Sequence, residues 1–142
     1  MAERILMAVK SEPDVIFYRG NYPGWPWLTA AGDRLLCAFR DDGVHGFSAT
    51  GKVLWMESLD AGQSWSASRV AVDDAGVDDR NAAIAVLPDK TWMIVYNSYS
   101  REKVSRCWAT TSRDQGENWS QPVSLADLDA RTRSAPIALA SG

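Results

Sequence analysis

The segment Ser58-Leu59-Asp60-Ala61-Gly62-Gln63-Ser64-Trp65 recurs as Ser112-Arg113-Asp114-Gln115-Gly116-Glu117-Asn118-Trp119, so Ser-x-Asp-x-Gly-x-x-Trp occurs twice, 112 − 58 = 54 residues apart. A repeat of that length marks one architectural unit used again. The residue types describe a turn with its own small core: the Asp side chain folds onto nearby backbone N–H groups, Gly supplies positive φ and Trp plugs the turn. A chain that places such a turn at a fixed interval is a chain of repeated hairpins.

The repeat extends past the box. Pro26 to Phe39 aligns with Ala83 to Tyr96 without a gap, as apolar strand, turn and apolar strand. A third copy begins at the end, where Arg133-Ser-Ala-Pro-Ile-Ala-Leu-Ala matches Arg80-Asn-Ala-Ala-Ile-Ala-Val-Leu at an interval of 133 − 80 = 53. Each unit divides into four short strands at its turn signals. In the first unit these are Trp27 to Ala30, Leu35 to Arg40, Lys52 to Ser58 and Ser66 to Val72. In the second they are Ala82 to Leu87, Trp92 to Asn97, Ser105 to Thr111 and Ser120 to Leu125. Ile5 to Val9 and Val15 to Tyr18 add strand-like pieces ahead of the first unit, and no amphipathic helix is visible.

Composition narrows the function classes. With 46% hydrophobic and 23% charged residues in 142, the chain has the profile of a globular domain, and a net charge of −3 with dispersed basic residues points away from nucleic acid and anionic membranes as partners. The two cysteines, Cys37 and Cys107, fall on non-equivalent strands and do not suggest a disulfide framework. Residues 1–10 lack the apolar core of a signal peptide and no apolar run reaches membrane-spanning length, so a cytoplasmic location is expected, unless a leader has been removed. No cofactor is indicated. The boxes are not metal sites, because Asp60 with Gln63, or Asp114 with Glu117, lacks the alternating acidic positions of a calcium loop.

Repeated four-stranded antiparallel units are what a β-propeller requires. The Ser-x-Asp-x-Gly-x-x-Trp box after a strand-turn-strand of this kind resembles the Asp-box (BNR) repeats of sialidases and their relatives. The resemblance implies an all-β, six-bladed propeller, with residues 1–19 as N-terminal strands, 20–76 as a first blade, 77–130 as a second and 131–142 opening a third. Two blades cannot close such a ring. The chain is therefore expected either to be part of a longer propeller or to be completed by identical copies, three of which would supply six blades.

Strand parity sorts the loops. The boxes share one face with the first-to-second turns at Ala31-Gly32 and Pro88-Asp89, leaving the box residues Ser58, Asp60, Gly62, Trp65, Ser112, Asp114, Gly116 and Trp119 as scaffold. The opposite face collects the approaches to the first strands and the second-to-third loops. Among these, Arg40-Asp41-Asp42-Gly43-Val44-His45 holds two carboxylates and the single histidine, making Asp41, Asp42 and His45 the catalytic candidates. The alternative is that Arg40 simply pairs with Asp41 or Asp42 while His45 fills a loop. Arg80 and Arg133 are candidate substrate-binding residues, since guanidinium forks at the inner ends of successive first strands converge on one axis and hold a carboxylate bidentately; Asp79 lies in the same blade entry as Arg80, and the resemblance adds Arg19 and Arg40.

Sialidases use such an arginine cluster, the first arginine lying in an Arg-Ile-Pro-like motif just before a first strand, with an Asp of the following second-to-third loop as acid. The first blade here has Gly24-Trp25-Pro26 at that motif, and Arg80 and Arg133 lie three residues before the aligned Ala83 and Pro136. The family's Tyr nucleophile and its Glu partner have no match, and Tyr18 and Tyr22 read as plugs or sugar-stacking rings. Trp25 and Trp27 lie near the same face and read as core. Two functions remain in view: a sialidase-like glycoside hydrolase acting on acidic or sialylated glycans, and a non-catalytic propeller module that binds carbohydrate or protein.

Overall fold

The computed structural model describes residues 18–128 and holds two four-stranded antiparallel sheets. Strands β1 (Gly24–Ala31), β2 (Arg34–Asp41), β3 (Lys52–Ser58) and β4 (Arg69–Val72) form the first sheet as a meander; β5 (Asp78–Val86), β6 (Trp92–Tyr99), β7 (Ser105–Ser112) and β8 (Val123–Leu128) repeat it. These are two propeller blades, and no helix occurs among the described residues. The strand-like piece Ile5 to Val9, all of Val15 to Tyr18 except Tyr18, Arg133 and the third copy lie outside the described residues.

Strand boundaries differ from the sequence expectation for identifiable reasons. Each first strand starts earlier because it carries a β-bulge, between Gly24 and Trp27 in β1 and between Arg80 and Ala83 in β5. Both bulges turn on a residue in the left-handed region, Trp25 (φ 50°) and Asn81 (φ 53°). Asn tolerates that conformation; a tryptophan does so at a cost on the order of 1–3 kcal/mol. The fourth strands start later, because Ser66 N–H first bonds Glu57 O and Ser120 N–H bonds Thr111 O, each at 2.8 Å, closing the box turn before pairing resumes.

The bulges also correct the gapless alignment. Trp27 pairs with Ala38 and Ala83 with Val95, so β1 maps onto β5 with an offset of 83 − 27 = 56 and β2 onto β6 with 95 − 38 = 57. The extra residue sits in the turn. Gly32-Asp33 connects β1 to β2, whereas Pro88-Asp89-Lys90 lies between Leu87 and Thr91, with Lys90 at φ 67° and Leu87 N–H bonded to Thr91 O at 2.8 Å.

The principal core lies between the blades. Leu36, Ala38, Val53 and Trp55 of the first sheet meet Ala82, Ile84, Trp92, Ile94 and Tyr96 of the second, all buried, and β5 lies against β1, β2 and β3. Trp55 is fully buried, with its ring edge-on to Trp92 at 5.2 Å between centroids. Burying an aromatic of this size stabilises by roughly 4–6 kcal/mol at ~25 cal/mol per Å². The other face of the first blade buries Cys37, Phe39, Leu54 and Met56. With both faces covered, β2 and β3 read as continuous apolar runs rather than alternating ones. Both cysteines are free thiols, and burial pushes that of Cys37 up to about 11.

Candidate functional site

Alternation along β2 divides the charged residues at its end. Leu36, Ala38 and Arg40 face the second blade; Cys37, Phe39 and Asp41 face away. Arg40 is consequently fully buried, with Nε donating to Asp78 Oδ1 at 2.7 Å, one terminal nitrogen to Asp78 Oδ2 at 3.1 Å and Asp42 Oδ2 at 2.9 Å, and the other to Val44 O at 2.9 Å. Asp78 at the start of β5 is equally buried and also accepts from Ser48 N–H at 3.2 Å and from Arg80. Gly51 is required beside this pair: a Cβ there would run into Asp78 and come within 3.1 Å of Arg40 Nε. Arg40 thus joins two blades and orders the β2–β3 loop, and has no edge left for a ligand.

Asp42 is held in its charged form. Burial opposes ionisation, but hydrogen bonds from Ser48, Gly43 N–H and Thr50 and the Arg40 charge outweigh it and set the carboxyl below its ordinary range. Asp41, on the other side, accepts the Tyr18 hydroxyl at 2.5 Å, Tyr22 N–H at 3.1 Å and Asp42 N–H at 2.9 Å. Gly20 passes so close that any side chain would meet the Asp41 carboxylate. Burial, together with the hydrogen bond to Asp41 and its charge, pushes the Tyr18 hydroxyl up to about 12.

Arg80, unlike the fully buried Arg40, keeps part of its side chain, 17%, in solvent. It donates to Asp78 and to Gly46 O at 3.0 Å, and its guanidinium lies 5.5 Å from the Trp25 ring centre and 5.1 Å from that of Tyr99. Under the corrected register Arg80 aligns with Gly24 and lies two residues before Ala82, the counterpart of Pro26. The three-residue spacing expected from the gapless alignment is therefore a two-residue spacing, in the segment Arg80-Asn81-Ala82.

Asp79 is fully buried and so cannot meet a substrate directly, contrary to its place among the binding candidates. Its backbone N–H bonds Gly51 O at 3.0 Å, Oδ2 accepts Asp74 N–H at 2.7 Å and Oδ1 has no partner. Burial, with the neighbouring charges of Asp74, Asp73 and Asp78, raises its carboxyl to about 7 despite the bond from Asp74 N–H. The buried Tyr96 hydroxyl, 3.3 Å from Asp74 Oδ2, is raised for the same reason, burial first.

His45 is exposed, its ring 5.7 Å from Tyr22 and 5.6 Å from Trp25. Arg19 is exposed, and Arg133 lies outside the described residues. Trp27 packs against the core as expected, but Trp25 does not: it is 39% exposed, and Tyr22 beside it is 42% exposed. Phe47, Tyr99 and Arg101 continue the aromatic strip, with Phe47 6.3 Å from Tyr99 and Arg101 5.4 Å from Phe47. The sequence signal for Trp25 was its position at the start of a first strand, beside Gly24 and Pro26.

On the opposite face the Ser, Asp and Gly hydrogen bonds of one box repeat in the other, whereas Trp119 Nε1, unlike Trp65 Nε1, has no partner. Ser58 Oγ donates to Asp60 Oδ1 at 2.8 Å and accepts Gly62 N–H at 2.8 Å, while Asp60 accepts Ser64 N–H at 2.8 Å; Ser112, Asp114, Gly116 and Asn118 N–H repeat this at 2.7, 2.8 and 2.9 Å. Hydrogen bonds from Ser64 and Ser58, and from Asn118 and Ser112, bring both box carboxyls down to about 2. Trp65 Nε1–H donates to Gly62 O at 3.2 Å, and Trp119 packs against Trp55 at 6.5 Å. The second box also grips the first blade, since Gln115 accepts from Arg34 at 2.8 Å and Glu117 from Arg69 at 2.6 Å.

The BNR repeat-like domain model matches residues 25–139. The chain belongs to the BNR repeat-like family. No curated protein matches it. Among solved structures it is similar to the Hadza microbial sialidase Hz136 (TM-score 0.58, 14% identity, 72% of this chain and 26% of that one). It is also similar to a protein of unknown function from Dyadobacter fermentans DSM 18053 (TM-score 0.64, 14% identity, 77% and 38%) and to Trypanosoma rangeli sialidase, solved in complex with sialic acid (TM-score 0.56, 14% identity, 75% and 20%). Identities at this level establish a shared fold, a sialidase-like propeller, of which this BNR repeat-like chain spans between a fifth and two fifths.

Proposed function

We propose that these two blades form part of the substrate-facing wall of a sialidase-like glycoside hydrolase acting on acidic glycans. Arg80 is the carboxylate ligand, and Asp41 and His45 are kept as the candidate proton donors named from the sequence. The observation that carries this reading is the geometry of Arg80: a guanidinium clamped by Asp78 and Gly46 O beside the Trp25 and Tyr99 rings, on a side chain of which 17% stays in solvent. Such a group is preorganised, so a ligand carboxylate meets it without first having to order a long side chain. Asp42 is assigned a positioning role instead, because a carboxylate stabilised as an anion is a poor proton donor near neutral pH.

Turnover is to be measured on a fluorogenic sialoside and a panel of other glycosides, with Arg80→Ala, Arg80→Lys and Asp41→Asn alongside. Hydrogen bonds to a charged group contribute about 1.5–3 kcal/mol, so Arg80→Ala is expected to weaken acidic-glycan recognition roughly 10- to 150-fold, and Arg80→Lys to recover little. Equal activity of wild type and Arg80→Ala would remove the assignment. The non-catalytic module remains as a second reading for one reason: the Tyr nucleophile and Glu partner of sialidases have no match in this sequence, and Tyr18 spends its hydroxyl on Asp41 at 2.5 Å. Binding of acidic glycans without turnover on any glycoside would select it. Further blades are assigned to the same polypeptide or to identical copies, and a monomeric mass by light scattering would dispose of a trimer.

A further inference from the structure

We infer that Asp79 is a proton-operated latch of the Arg80 site, so that the chain holds an acidic ligand more tightly with this carboxyl neutral than with it ionised. The inference rests on the carboxylate reading of Arg80 and gives that site a regulator. Its first support is the way β5 holds the β2–β3 loop. Three consecutive residues each tie down a different point of it. Asp78 accepts Ser48 N–H at 3.2 Å, Asp79 N–H donates to Gly51 O at 3.0 Å, and Arg80 donates to Gly46 O at 3.0 Å. Arg40 reaches the same loop from β2, through Val44 O and Asp42 Oδ2 at 2.9 Å each, and grips Asp78 as well. Arg80 is therefore placed by a loop whose last tie runs through Asp79, and a shift of Asp79 passes along a contiguous set of bonds to the arginine.

The second support is the surroundings of the carboxyl. Asp79 is fully buried, with Oδ2 accepting Asp74 N–H at 2.7 Å and Oδ1 without a partner. The charges that face it are of like sign: Asp73 and Asp74 on the linker between β4 and β5, and Asp78 on β5. From β6 comes the Tyr96 hydroxyl, 3.3 Å from Asp74 Oδ2. The cations of the junction are committed elsewhere, Arg40 and Arg80 to Asp78 and Lys52 of β3 to Asp73 at 3.3 Å. A neutral Asp79 fits this arrangement, whereas an anionic one adds a further negative charge where water does not reach. Burial first, and then Asp74, Asp73 and Asp78, raise the carboxyl to about 7, so it passes between the two states near neutrality. Above that value the new charge repels the linker carboxylates and makes the potential at the neighbouring Arg80 less positive. Both effects weaken the hold on an anion, and by reciprocity a bound anion raises the proton affinity of Asp79.

The test titrates a hydrolysis-resistant methyl thiosialoside by calorimetry into the purified chain, Asp79→Asn and Asp74→Asn at intervals from pH 5 to pH 8. Wild type should lose affinity roughly five- to tenfold between pH 6 and pH 8, the low end of the coupling found between two sites, while Asp79→Asn keeps its affinity throughout. His45 is present in all three proteins, so its titration cancels in the comparison. Asp74→Asn removes one like charge but keeps the backbone N–H that Asp79 accepts, so the fall in affinity should move to lower pH, a displacement that a merely structural role would not produce. Equal affinity of wild type at pH 6 and pH 8, or a parallel loss in wild type and Asp79→Asn, overturns the latch and leaves the carboxylate reading standing. Should Asp79→Asn fail to fold, the Asp74→Asn midpoint decides, and an unmoved midpoint overturns the latch. A wild type that binds no thiosialoside at any pH removes the carboxylate reading, and the latch with it.

Discussion

Asp79 makes the stability of the blade pair fall as pH rises, and the size of the effect follows from its surroundings. The carboxyl is fully buried, has one unpartnered oxygen and sits among Asp73, Asp74 and Asp78, with the Tyr96 hydroxyl held by Asp74. In the folded chain it titrates at about 7, against an ordinary value of 3.8. Between those two values the native state keeps a proton that the unfolded chain releases, so unfolding is favoured increasingly with pH, until the native carboxyl ionises as well. Each pKa unit corresponds to about 1.4 kcal/mol, which gives a full penalty of about 4 kcal/mol above pH 7, of which about 2–3 kcal/mol develops between pH 5 and 8. Asp79→Asn keeps the shape, accepts the Asp74 N–H and never ionises. Urea unfolding of both proteins across pH 5 to 8 should show the variant gaining on wild type by that amount. A wild-type to variant difference that is flat across the range would refute the reasoning.

Other perturbations test the scaffold. Asp78→Ala leaves Arg40 charged and buried without its bidentate partner and should cost about 3–5 kcal/mol in chemical denaturation, whereas Arg40→Met combined with Asp78→Val should recover most of that loss. Gly62 and Gly116 occupy the same box position at φ 89° and 86°, but a Cβ on Gly62 would meet only Leu35 Cδ1 at 3.5 Å, whereas one on Gly116 would strike the buried Trp55 ring. Gly62→Ala should therefore cost about 1–2 kcal/mol for backbone strain, and Gly116→Ala about 1–3 kcal/mol more, as read from thermal melts. The box carboxyls, lowered to about 2, contribute stability that is complete above 3.8 and lost as pH falls through 2, so Asp60→Asn with Asp114→Asn should blunt acid unfolding followed by circular dichroism.

What was legible in the chain, and what was not, follows the range of the interactions. The boxes are local: each bond joins residues at most four apart, so eight residues announce the turn and the strand pairs around it. The Arg40–Asp78 pair spans 38 residues and crosses between blades, and no local pattern announces it. Reading Arg40 against Asp41 or Asp42 was half correct for a reason visible in β2 itself. Alternation sends Asp41 to the face opposite Arg40, while the turn after the strand brings Asp42 back to it. The one-residue register error had a different origin. Past the bulge both first strands are apolar, but before it β5 carries Asp78, Asp79 and Arg80 where β1 offers only Gly24 for comparison, and the residues that adopt positive φ there, Trp25 and Asn81, share no chemistry that a sequence comparison could align. The compensating residue hides in a turn of Pro, Asp and Lys, where length varies freely. Placing the bulge moves Arg80 into register with Gly24, two residues before the counterpart of Pro26, so the same correction sets the place of the side chain on which the proposed function rests.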